Sequence, residues 1–532
     1  MDCDTSSIAS PRHDGSAVPL SDRGPSPRVR VDVTVSGSDA SDHGCMADMT
    51  TSLPPRRADS APSSARGALN DSDVVLEFSG RFRFGIDQWA YVPFTVPPEV
   101  ARIVVTTGHQ ALSVLGVARN VLDLGIFGPE GYDVGNAAGF RGWSGGARSG
   151  YALSAGSATP GYLPGPLTPG TWTLAFGPVV LNPLGMDWWA RVVLEFGRPE
   201  AEPPPRPRFA AGTSRRRGAA WYRGDLHTHT VHSDGHYQPH ELSAVADDAG
   251  LDFVVSTEHN TNSANLSRAG FPRGGPEIVP GEEVTTRHGH WLAVGLPPDC
   301  WVDWRYAPRD GVFTRFAAQV RAQGGLVVAA HPAVPLPGAA WEFGYGDVDA
   351  IEVWNGLWNL DDELALRIWH RLLVRGRRIT AVGGSDSHGA HQRVGRPQTV
   401  VFAEDLTTAD LVAGLRNGRC YLTETDSVTV RFTAAAGDAT AVGPGGTLTV
   451  GPETAVKVMA EVRGAPNAVI ELITARGRVA RAPVGESGTA IVRWTTLGAD
   501  ARFARLEVRR RQRQRRESMV ALSNPIWISE AR

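Results

Sequence analysis

The segment GDLHTHTVHSDG, residues 224–235, joins a His-X-His pair to an acidic turn. His227 and His229 follow a short apolar lead-in, and Asp234 lies in the Ser-Asp-Gly turn behind them. A second segment with similar residue types, Ser256-Thr257-Glu258-His259-Asn260, follows after one predicted helix. Imidazole and carboxylate groups that gather at successive strand ends are typical of a metal site. We therefore interpret residues 224–235 as the first arm of a metal centre.

The surrounding region, residues 220–425, alternates between predicted strands and helices. Pro239 begins a helix that ends before Gly250, and the apolar run Leu251–Thr257 follows as a strand. Further strands are predicted at Ile278–Val284, Trp291–Gly295, Leu326–Ala330, Ala350–Trp354 and Ile379–Gly383, and further helices at Phe313–Gln323, Asp361–Arg375 and Thr407–Arg416. Repeated strand-then-helix units with apolar strands predict a parallel sheet covered by helices, and their number favours a barrel.

Acidic and imidazole side chains recur at the predicted strand ends of this region. In parallel α/β folds, functional side chains cluster at the carboxyl ends of the strands. The candidates for metal ligands are His227, His229, Asp234, His259, Glu283, His290, His331, Asp386 and His388. This set is sufficient for two or three divalent ions, and mixed imidazole and carboxylate ligation suits Mn, Fe or Zn.

The rest of the chain predicts accessory domains. Residues 73–200 contain short β-type runs separated by Gly and Pro, which predicts a β-sandwich similar to a jelly roll. Residues 426–532 predict a second, smaller β-sandwich. Residues 1–72 lack a hydrophobic period and predict a disordered tail, and residues 201–219 are Pro-rich and Arg-rich, which is typical of a linker.

The composition of the chain argues against a nucleic-acid-binding or membrane-spanning protein. The chain has 532 residues, of which 42% are hydrophobic, and a formal net charge of −3. A near-neutral chain has no overall basic field to attract nucleic acid, so a nucleic-acid partner is not expected. No apolar run approaches the length of a membrane span. The start of the sequence lacks the features of a signal peptide, so we expect a cytoplasmic location. The sequence does not set an oligomeric state.

The order and local sequence of the strand-end motifs resemble the PHP superfamily, named for polymerase and histidinol phosphatase domains. The matching motifs are Asp225-Leu226-His227-Thr228-His229-Thr230, Thr257-Glu258-His259-Asn260, Gly281-Glu282-Glu283, Ala330-His331-Pro332 and Ser385-Asp386-Ser387-His388. Glu258 departs from the family's usual Asp, at a position that is not a ligand. The resemblance covers residues 220–425, and all nine ligand positions of three-metal members are filled.

The resemblance implies a distorted (β/α)7 barrel with a di- or trinuclear metal centre that activates water for hydrolysis. It implies that Glu283 is the ligand of its motif and Glu282 a neighbour. Glu283 and Asp386 are candidates for carboxylates that bridge two metals. His331 is interpreted as a ligand, with proton donation to the leaving group as the alternative. Glu283, His331 and Asp386 are therefore the candidate catalytic residues.

A narrower resemblance concerns the branch that contains carbaryl-hydrolysing enzymes. It is carried by Pro280–Thr286, Gly289-His290, Ile351–Gly356 and Gly383–His388. The superfamily's commonest activity implies hydrolysis of a small phosphoester, whereas this branch implies a carbamate or carboxylic ester as the alternative substrate. A non-catalytic scaffold that binds metal or glycan is the alternative from a different class.

Four residues are candidates for contact with a small-molecule ester substrate. Arg305 and Arg393 are the basic residues predicted to bind a phosphate group. Asn355 follows a predicted strand, and His391 lies just after the last ligand motif.

Overall fold

A computed structural model describes residues 28–34, 73–110, 120–201, 218–267, 274–437, 440–511 and 517–531. Within these ranges the protein is multidomain and consists mostly of β-sheet, with four sheets and a few helices. In the described part of the chain, no helix is both long and apolar enough to cross a membrane. Most of the predicted linker lies outside the described residues.

The N-terminal region forms two sheets. Its strands are β1 (Arg28–Thr34), β2 (Val74–Phe82), β3 (Ala90–Val96), β4 (Val100–His109), β5 (Val121–Phe127), β6 (Phe140–Gly145), β7 (Gly150–Ser154), β8 (Gly170–Val180) and β9 (Met186–Phe196). One sheet has the order β1-β2-β9-β4-β7 and the other β3-β8-β5-β6. Alternating side chains from both sheets, such as Val92, Ile103, Leu174 and Val192, form a single buried cluster. We refer to residues 73–200 as the N-terminal β-domain.

Strand β1 lies inside the segment predicted to be disordered. It pairs in parallel with β2, with Arg28 opposite Val75 and Thr34 opposite Arg81. The sequence Arg-Val-Arg-Val-Asp-Val-Thr alternates polar and apolar residues, which is the period of a strand. The rest of the predicted tail lies outside the described residues, and its disorder stays a prediction.

The α/β region contains most of the helices. Its elements are β10 (Ala220–Thr228), α1 (Pro239–Asp248), β11 (Phe253–Ser256), α2 (Ser263–Leu266), β12 (Glu277–Thr286), β13 (Gly289–Val294), α3 (Phe313–Ala322), β14 (Leu326–Ala329), β15 (Ala350–Asn355), α4 (Leu360–Val374), β16 (Thr380–Gly384), β17 (Gln398–Ala403), α5 (Thr408–Arg416) and β18 (Cys420–Thr423). The four long helices are confirmed with nearly their predicted bounds. Local capping explains their starts: the Asn359 side chain accepts from Asp361 N, and the Thr407 side chain accepts from Asp410 N.

The sheet of this region is mixed, whereas the strand pattern predicted a parallel one. Its order is β16-β15-β14-β13-β12-β11-β10-β17-β18. The pairs β10–β11, β11–β12, β14–β15 and β15–β16 are parallel, but β12–β13 and β13–β14 are antiparallel. The reversal arises because a tight turn at 287–288 joins β12 to β13, which leaves no room for a crossover helix.

Strands β10 to β17 curve around one core. A single buried cluster takes side chains from all of them, including Leu226, Val255, Leu292 and Val382. The ends of β16 and β10 also approach each other, since Asp386 N donates to His227 O over 2.8 Å. The hydrogen-bonded strand path itself is not a closed ring, so the (β/α)7 barrel stays a prediction.

The C-terminal region continues this sheet. Its strands are β19 (Thr429–Ala436), β20 (Thr447–Val450), β21 (Ala455–Arg463), β22 (Ala468–Thr474), β23 (Gly477–Pro483), β24 (Ala490–Leu497), β25 (Phe503–Arg511), β26 (Glu517–Ser523) and β27 (Ile526–Glu530). The path runs from β18 through β26, β25 and β22 to β23, while β19, β21 and β24 form a separate sheet. The region was predicted as a separate sandwich, but one of its sheets is continuous with the α/β sheet.

Asn524 completes this junction. Its amide accepts from Ala381 N and donates to Ala381 O, both over 2.8 Å, and also donates to Cys420 O over 3.1 Å. The side chain therefore satisfies backbone groups of β16 and β18 at once, as a neighbouring strand would.

Candidate metal centre

All nine predicted ligands lie together at one edge of the curved sheet. His227 is in β10, Glu283 is in β12 and His290 is in β13. The remaining six follow strands directly or lie in the turns after them: His229, Asp234, His259, His331, Asp386 and His388. The sheet thus brings residues separated by up to 161 positions (227 to 388) to one place.

Their ligand atoms form three overlapping groups. Within each group the atoms lie within 4.8 Å of one another. The groups are His229, Asp234, His259 and His388; His227, His229 and Glu283; and Glu283, His290 and His331. We call them the outer, middle and inner groups. His229 and Glu283 each belong to two groups, so the three form one continuous cluster.

Asp386 faces the middle group. Its Oδ1 lies 3.1 Å from His229 Nε2 and 3.4 Å from His227 Nε2. Its backbone has a φ of 50°, and that of His331 has a φ of 25°. Such positive values are uncommon for non-glycine residues and are maintained at functional sites by the surrounding structure.

Several of the converging atoms fit a bound cation. His227 Nε2, His229 Nε2, Glu283 Oε2 and Asp386 Oδ1 are buried and make no well-aligned hydrogen bond, although the imidazole nitrogens lie 3.1–3.4 Å from the carboxylate oxygens. Buried polar atoms are normally satisfied, because leaving them unpaired costs free energy. Imidazole nitrogens and carboxylate oxygens that point at a common space are the donor set of Mn, Fe or Zn sites. The residues present therefore fit divalent metal ions.

Other side chains orient the histidines. His227 Nδ1 donates to Glu352 Oε1 over 3.1 Å, which leaves Nε2 facing the cluster. His388 Nδ1 donates to the Asp386 carbonyl over 2.9 Å. His259 Nδ1 lies 2.7 Å from Thr285 Oγ1 and 2.9 Å from Glu283 Oε2. Such contacts select the tautomer of a metal-binding histidine and hold its ring in place.

Charges within the cluster favour ionised carboxylates, whereas they shift the histidines in both directions. Although burial lowers it, the neighbouring carboxylates hold the pKa of His227 and of His259 well above its usual value. Burial alone would raise the pKa of the Glu283 carboxyl, but His259 and His227 hold it well below its usual value. Burial is likewise outweighed at Asp386, where His227 and His229 hold the pKa well below its usual value. Burial, with His388 and His259 nearby, lowers the pKa of His229 to about 3. Ionised carboxylates and a neutral imidazole are the forms that ligate metals.

Two buried acids support the site without facing it. Asp225 accepts from Ser385 N and Gly395 N, each over 2.8 Å, so it joins the end of β10 to the loop after β16. Glu258 accepts from Thr230 Oγ1 over 2.5 Å and from Ser233 Oγ over 2.6 Å. Glu258 therefore fixes the turn that carries Asp234. From the sequence, Asp225 and Glu258 were recognised only as neighbours of the ligands within their motifs. The spacing of residues does not reveal which backbone groups a side chain binds.

The four predicted substrate residues lie in different environments. Asn355 is beside the centre, where its Nδ2 donates to Asp386 Oδ2 over 3.3 Å. Arg305 is buried and donates to Asp303 through Nε and Nη2, and to Tyr91 through Nη1. His391 and Arg393 are exposed in the loop after β16. Contact of these residues with a substrate stays a prediction.

The N-terminal β-domain lies against the loops of the centre. Phe140 stacks on Trp301 with ring centroids 4.2 Å apart, and Trp143 contacts Trp304 at 4.4 Å. Arg287, in the turn between β12 and β13, donates to the buried Asp123 carboxylate over 3.1 Å. The N-terminal β-domain therefore packs against the α/β region next to the predicted ligands.

Three solved structures are distantly similar to this chain. No family model matches the chain, and a search of curated proteins gives no match. A two-domain protein from Bacteroides vulgatus containing a predicted PHP-like metal-dependent phosphoesterase is 17% identical, with 60% of this chain and 100% of that chain covered and a TM-score of 0.33.

Two further solved structures are similar at the same level. A predicted metal-dependent phosphoesterase from Bifidobacterium adolescentis is 22% identical, with 36% of this chain and 94% of that chain covered and a TM-score of 0.25. An amidohydrolase from Chromobacterium violaceum is 19% identical, with 32% and 89% covered and a TM-score of 0.24. Because these scores are low, we base the functional proposal on this chain's own residues.

Proposed function

We propose that this protein is a metal-dependent hydrolase of the PHP type that acts on a small phosphoester. The observation that carries the proposal is the cluster of three ligand groups sharing His229 and Glu283. The proposal includes two or three divalent ions, Mn, Fe or Zn, held by the nine residues at the strand ends. It also includes a distorted (β/α)7 barrel with accessory β-sandwich domains on either side in sequence.

The chemistry divides between the ions and the chain. Divalent ions, when bound, acidify water and accept the negative charge that develops on an ester oxygen. Glu352 keeps His227 in the tautomer that presents Nε2 to the middle group. Glu283 belongs to the middle and inner groups, so its negative charge would offset that of cations held there. Asp386 adds a second carboxylate to the middle group and is positioned by Asn355.

His331 is proposed as a ligand of the inner group. Its Nε2 lies 3.2 Å from Glu283 Oε1, and its backbone N–H donates to Glu352 Oε2 over 2.9 Å. The ring thus faces the carboxylate that the inner and middle groups share. Proton donation to the leaving group is the alternative role of this residue.

A neutral ester is the second candidate substrate, and one observation favours it. Two arginines of the α/β region that contact the N-terminal β-domain are already paired with carboxylates: Arg287 with Asp123 and Arg305 with Asp303. Phosphate recognition commonly uses a free guanidinium group. Both guanidinium groups are already paired with carboxylates. Hydrolysis of a carbamate or a carboxylic ester therefore stays the alternative to phosphoester hydrolysis. Arg305 also donates to Tyr91 of the N-terminal β-domain, and its contact with a phosphate group stays a prediction.

A direct comparison of substrates tests the proposal. The full chain, reconstituted separately with Mn, Fe and Zn, is assayed with aryl phosphates, aryl carbamates and aryl carboxylic esters of one leaving group. Turnover of the phosphate above the other two is expected. Faster carbamate or carboxylate turnover would favour the second candidate.

A ligand variant provides the matching control. The double variant His227→Ala, His229→Ala removes two buried ligand atoms of the middle group, so it should abolish hydrolysis with every metal. Activity retained by this variant would exclude the centre as the catalytic site. A wild-type chain that binds no metal under any reconstitution would instead favour a non-catalytic scaffold.

A further inference from the structure

The outer group differs from the other two in how its acid is held. Asp234 lies in the turn after β10 and is the most exposed of the carboxylate ligands, with 41% of its side chain accessible. Glu283, by contrast, is within β12 and is 1% accessible. The Asp234 carboxylate lies 3.4 Å from His259 Nε2 and 3.2 Å from His388 Nε2. Its position therefore depends on the turn 230–235 rather than on the sheet.

The inner side of this turn is fixed by the α/β region. Glu258 holds Thr230 and Ser233, as described above. The His232 ring lies 2.9 Å from Ser263 Oγ. These contacts come from Glu258 and Ser263 of the α/β region, and a second support comes from another domain.

The N-terminal β-domain supplies that second support. Arg148, in the connection between β6 and β7, donates to Val231 O over 2.5 Å. Gly161 lies so close that a Cβ built on it would be 2.9 Å from His232 O. The Gly161 carbonyl also accepts from Thr261 Oγ1 over 3.0 Å, two residues beyond the ligand His259. One domain thus touches two of the three segments that carry outer-group ligands, those of Asp234 and His259.

We propose that the N-terminal β-domain completes the outer metal subsite, with Arg148 and Gly161 as positioning residues for Asp234 and His259. The inference rests on the proposed function. Neither residue touches the ligand atoms; each acts through the backbone of the turn or of the following loop. Without these contacts the turn retains its inner support but loses its fixed distance to His259 and His388.

Gly161 offers a sharp test because a matched glycine exists in the same domain. Gly161 has a φ of 98° and Gly131 a φ of 97°, so alanine strains the backbone equally at both. At Gly161 the new Cβ also meets the carbonyls of Trp143 and His232, whereas at Gly131 it meets only Asn136 at an ordinary 3.6 Å. Gly131→Ala therefore controls for the positive φ, while Arg148→Met, which creates no clash, separates displacement of the turn from the contact with Trp143 O inside the domain.

Arg148 provides a second pair of variants that does not depend on backbone strain. Arg148→Met removes the bond to Val231 O and keeps the aliphatic stem. Arg141→Met is its control, because Arg141 donates to Pro166 O over 2.9 Å within the N-terminal β-domain itself. Arg148→Lys retains a hydrogen-bond donor, so it should recover part of the metal binding that Arg148→Met loses.

The readout is metal content of the full chain, measured by elemental analysis after loading with Mn or Zn, with titration calorimetry for affinity. We expect Gly161→Ala and Arg148→Met to lose one metal equivalent, or to bind it at least about tenfold more weakly. The remaining equivalents should keep wild-type affinity, and both control variants should match wild type.

Three other outcomes would each overturn the inference. Wild-type stoichiometry and affinity in both Gly161→Ala and Arg148→Met, in a metal-binding chain, would overturn this inference and leave the proposed function intact. Equal metal loss in Gly131→Ala and Gly161→Ala would overturn it too, because domain strain would then be the cause. A wild-type chain that binds no metal would overturn both proposals together.

Discussion

Glu352 Oε1 lies 3.1 Å from His227 Nδ1, although the two residues are 125 positions apart in the sequence. Both side chains are fully buried. The other oxygen of Glu352 accepts from His331 N over 2.9 Å and from Asn355 Nδ2 over 3.1 Å. A single carboxylate therefore sets the orientation of a middle-group ligand and anchors the backbone of an inner-group ligand.

Glu352→Gln should weaken metal binding about 10- to 100-fold, because a neutral amide no longer selects the His227 tautomer that presents Nε2. Titration calorimetry on the metal-free chain measures the change. Glu342→Gln is the control, since Glu342 pairs with His288 at a 55% accessible position. Unchanged affinity in Glu352→Gln would show that Glu352 is only a packing residue.

Glu283→Gln should remove most of the bound metal and reduce hydrolysis at least about a thousandfold, since two ligand groups share this carboxylate. Its neighbour supplies the control. Glu282 is equally buried but accepts from Val302 N over 3.0 Å, away from the ligands. Glu282→Gln should retain its metal. Equal losses in the two variants would contradict the assignment of Glu283 as the shared ligand.

Asp123→Asn should lower the free energy of unfolding by about 3–5 kcal/mol, because it leaves Arg287 buried without a counter-charge. The double variant Asp123→Leu, Arg287→Met should recover most of that loss, since both charges are then absent. Denaturant titration measures these values. Arg81–Asp187 is the control pair: it is 46% and 56% accessible, so Asp187→Asn should cost less than about 1 kcal/mol.

The buried carboxyl of Asp362 should make the stability of the folded protein depend on pH. Burial raises the pKa of its carboxyl from 3.8 to about 8, despite backbone donors from Asn355 and Asn359. The folded state thus binds this proton more tightly than the unfolded state. The resulting stability is fully present below pH 3.8 and is lost as the pH rises through about 8.

Asp362→Asn removes this titration. The stability of wild type relative to the variant should therefore fall between pH 4 and pH 8 by at least about 2 kcal/mol. Thermal unfolding of both chains across that range measures the difference. A difference that is independent of pH, or that grows with pH, would show that the buried carboxyl is ionised throughout.

The sequence predicted local features of the fold well. The bounds of α1 followed from Pro239 and Gly250, since those residues begin and end helices for local steric reasons. The motifs similarly identified residues such as His259 and His331, which the structure brings into one cluster. Short-range chemistry determines features of this kind.

Pairing over long distances was not predictable in the same way. The antiparallel β12–β13 pair and the β18–β26 junction depend on partners that no local period reveals. The roles of Asp225 and Glu258 depend on backbone donors from other loops, and those of Arg148 and Gly161 on another domain. Such partners become visible only when the chain is folded.

The Asn524 junction has a consequence for how this protein can be divided or recombined. Strand β18 lies between β17 and β26, and the Asn524 amide occupies backbone groups of β16 and β18. A chain ending after residue 425 would expose the β18 edge, and unprotected edges promote association with other chains. The α/β region therefore cannot be moved into another protein on its own. A chimera that moves it to another protein must move β26 and Asn524 with it.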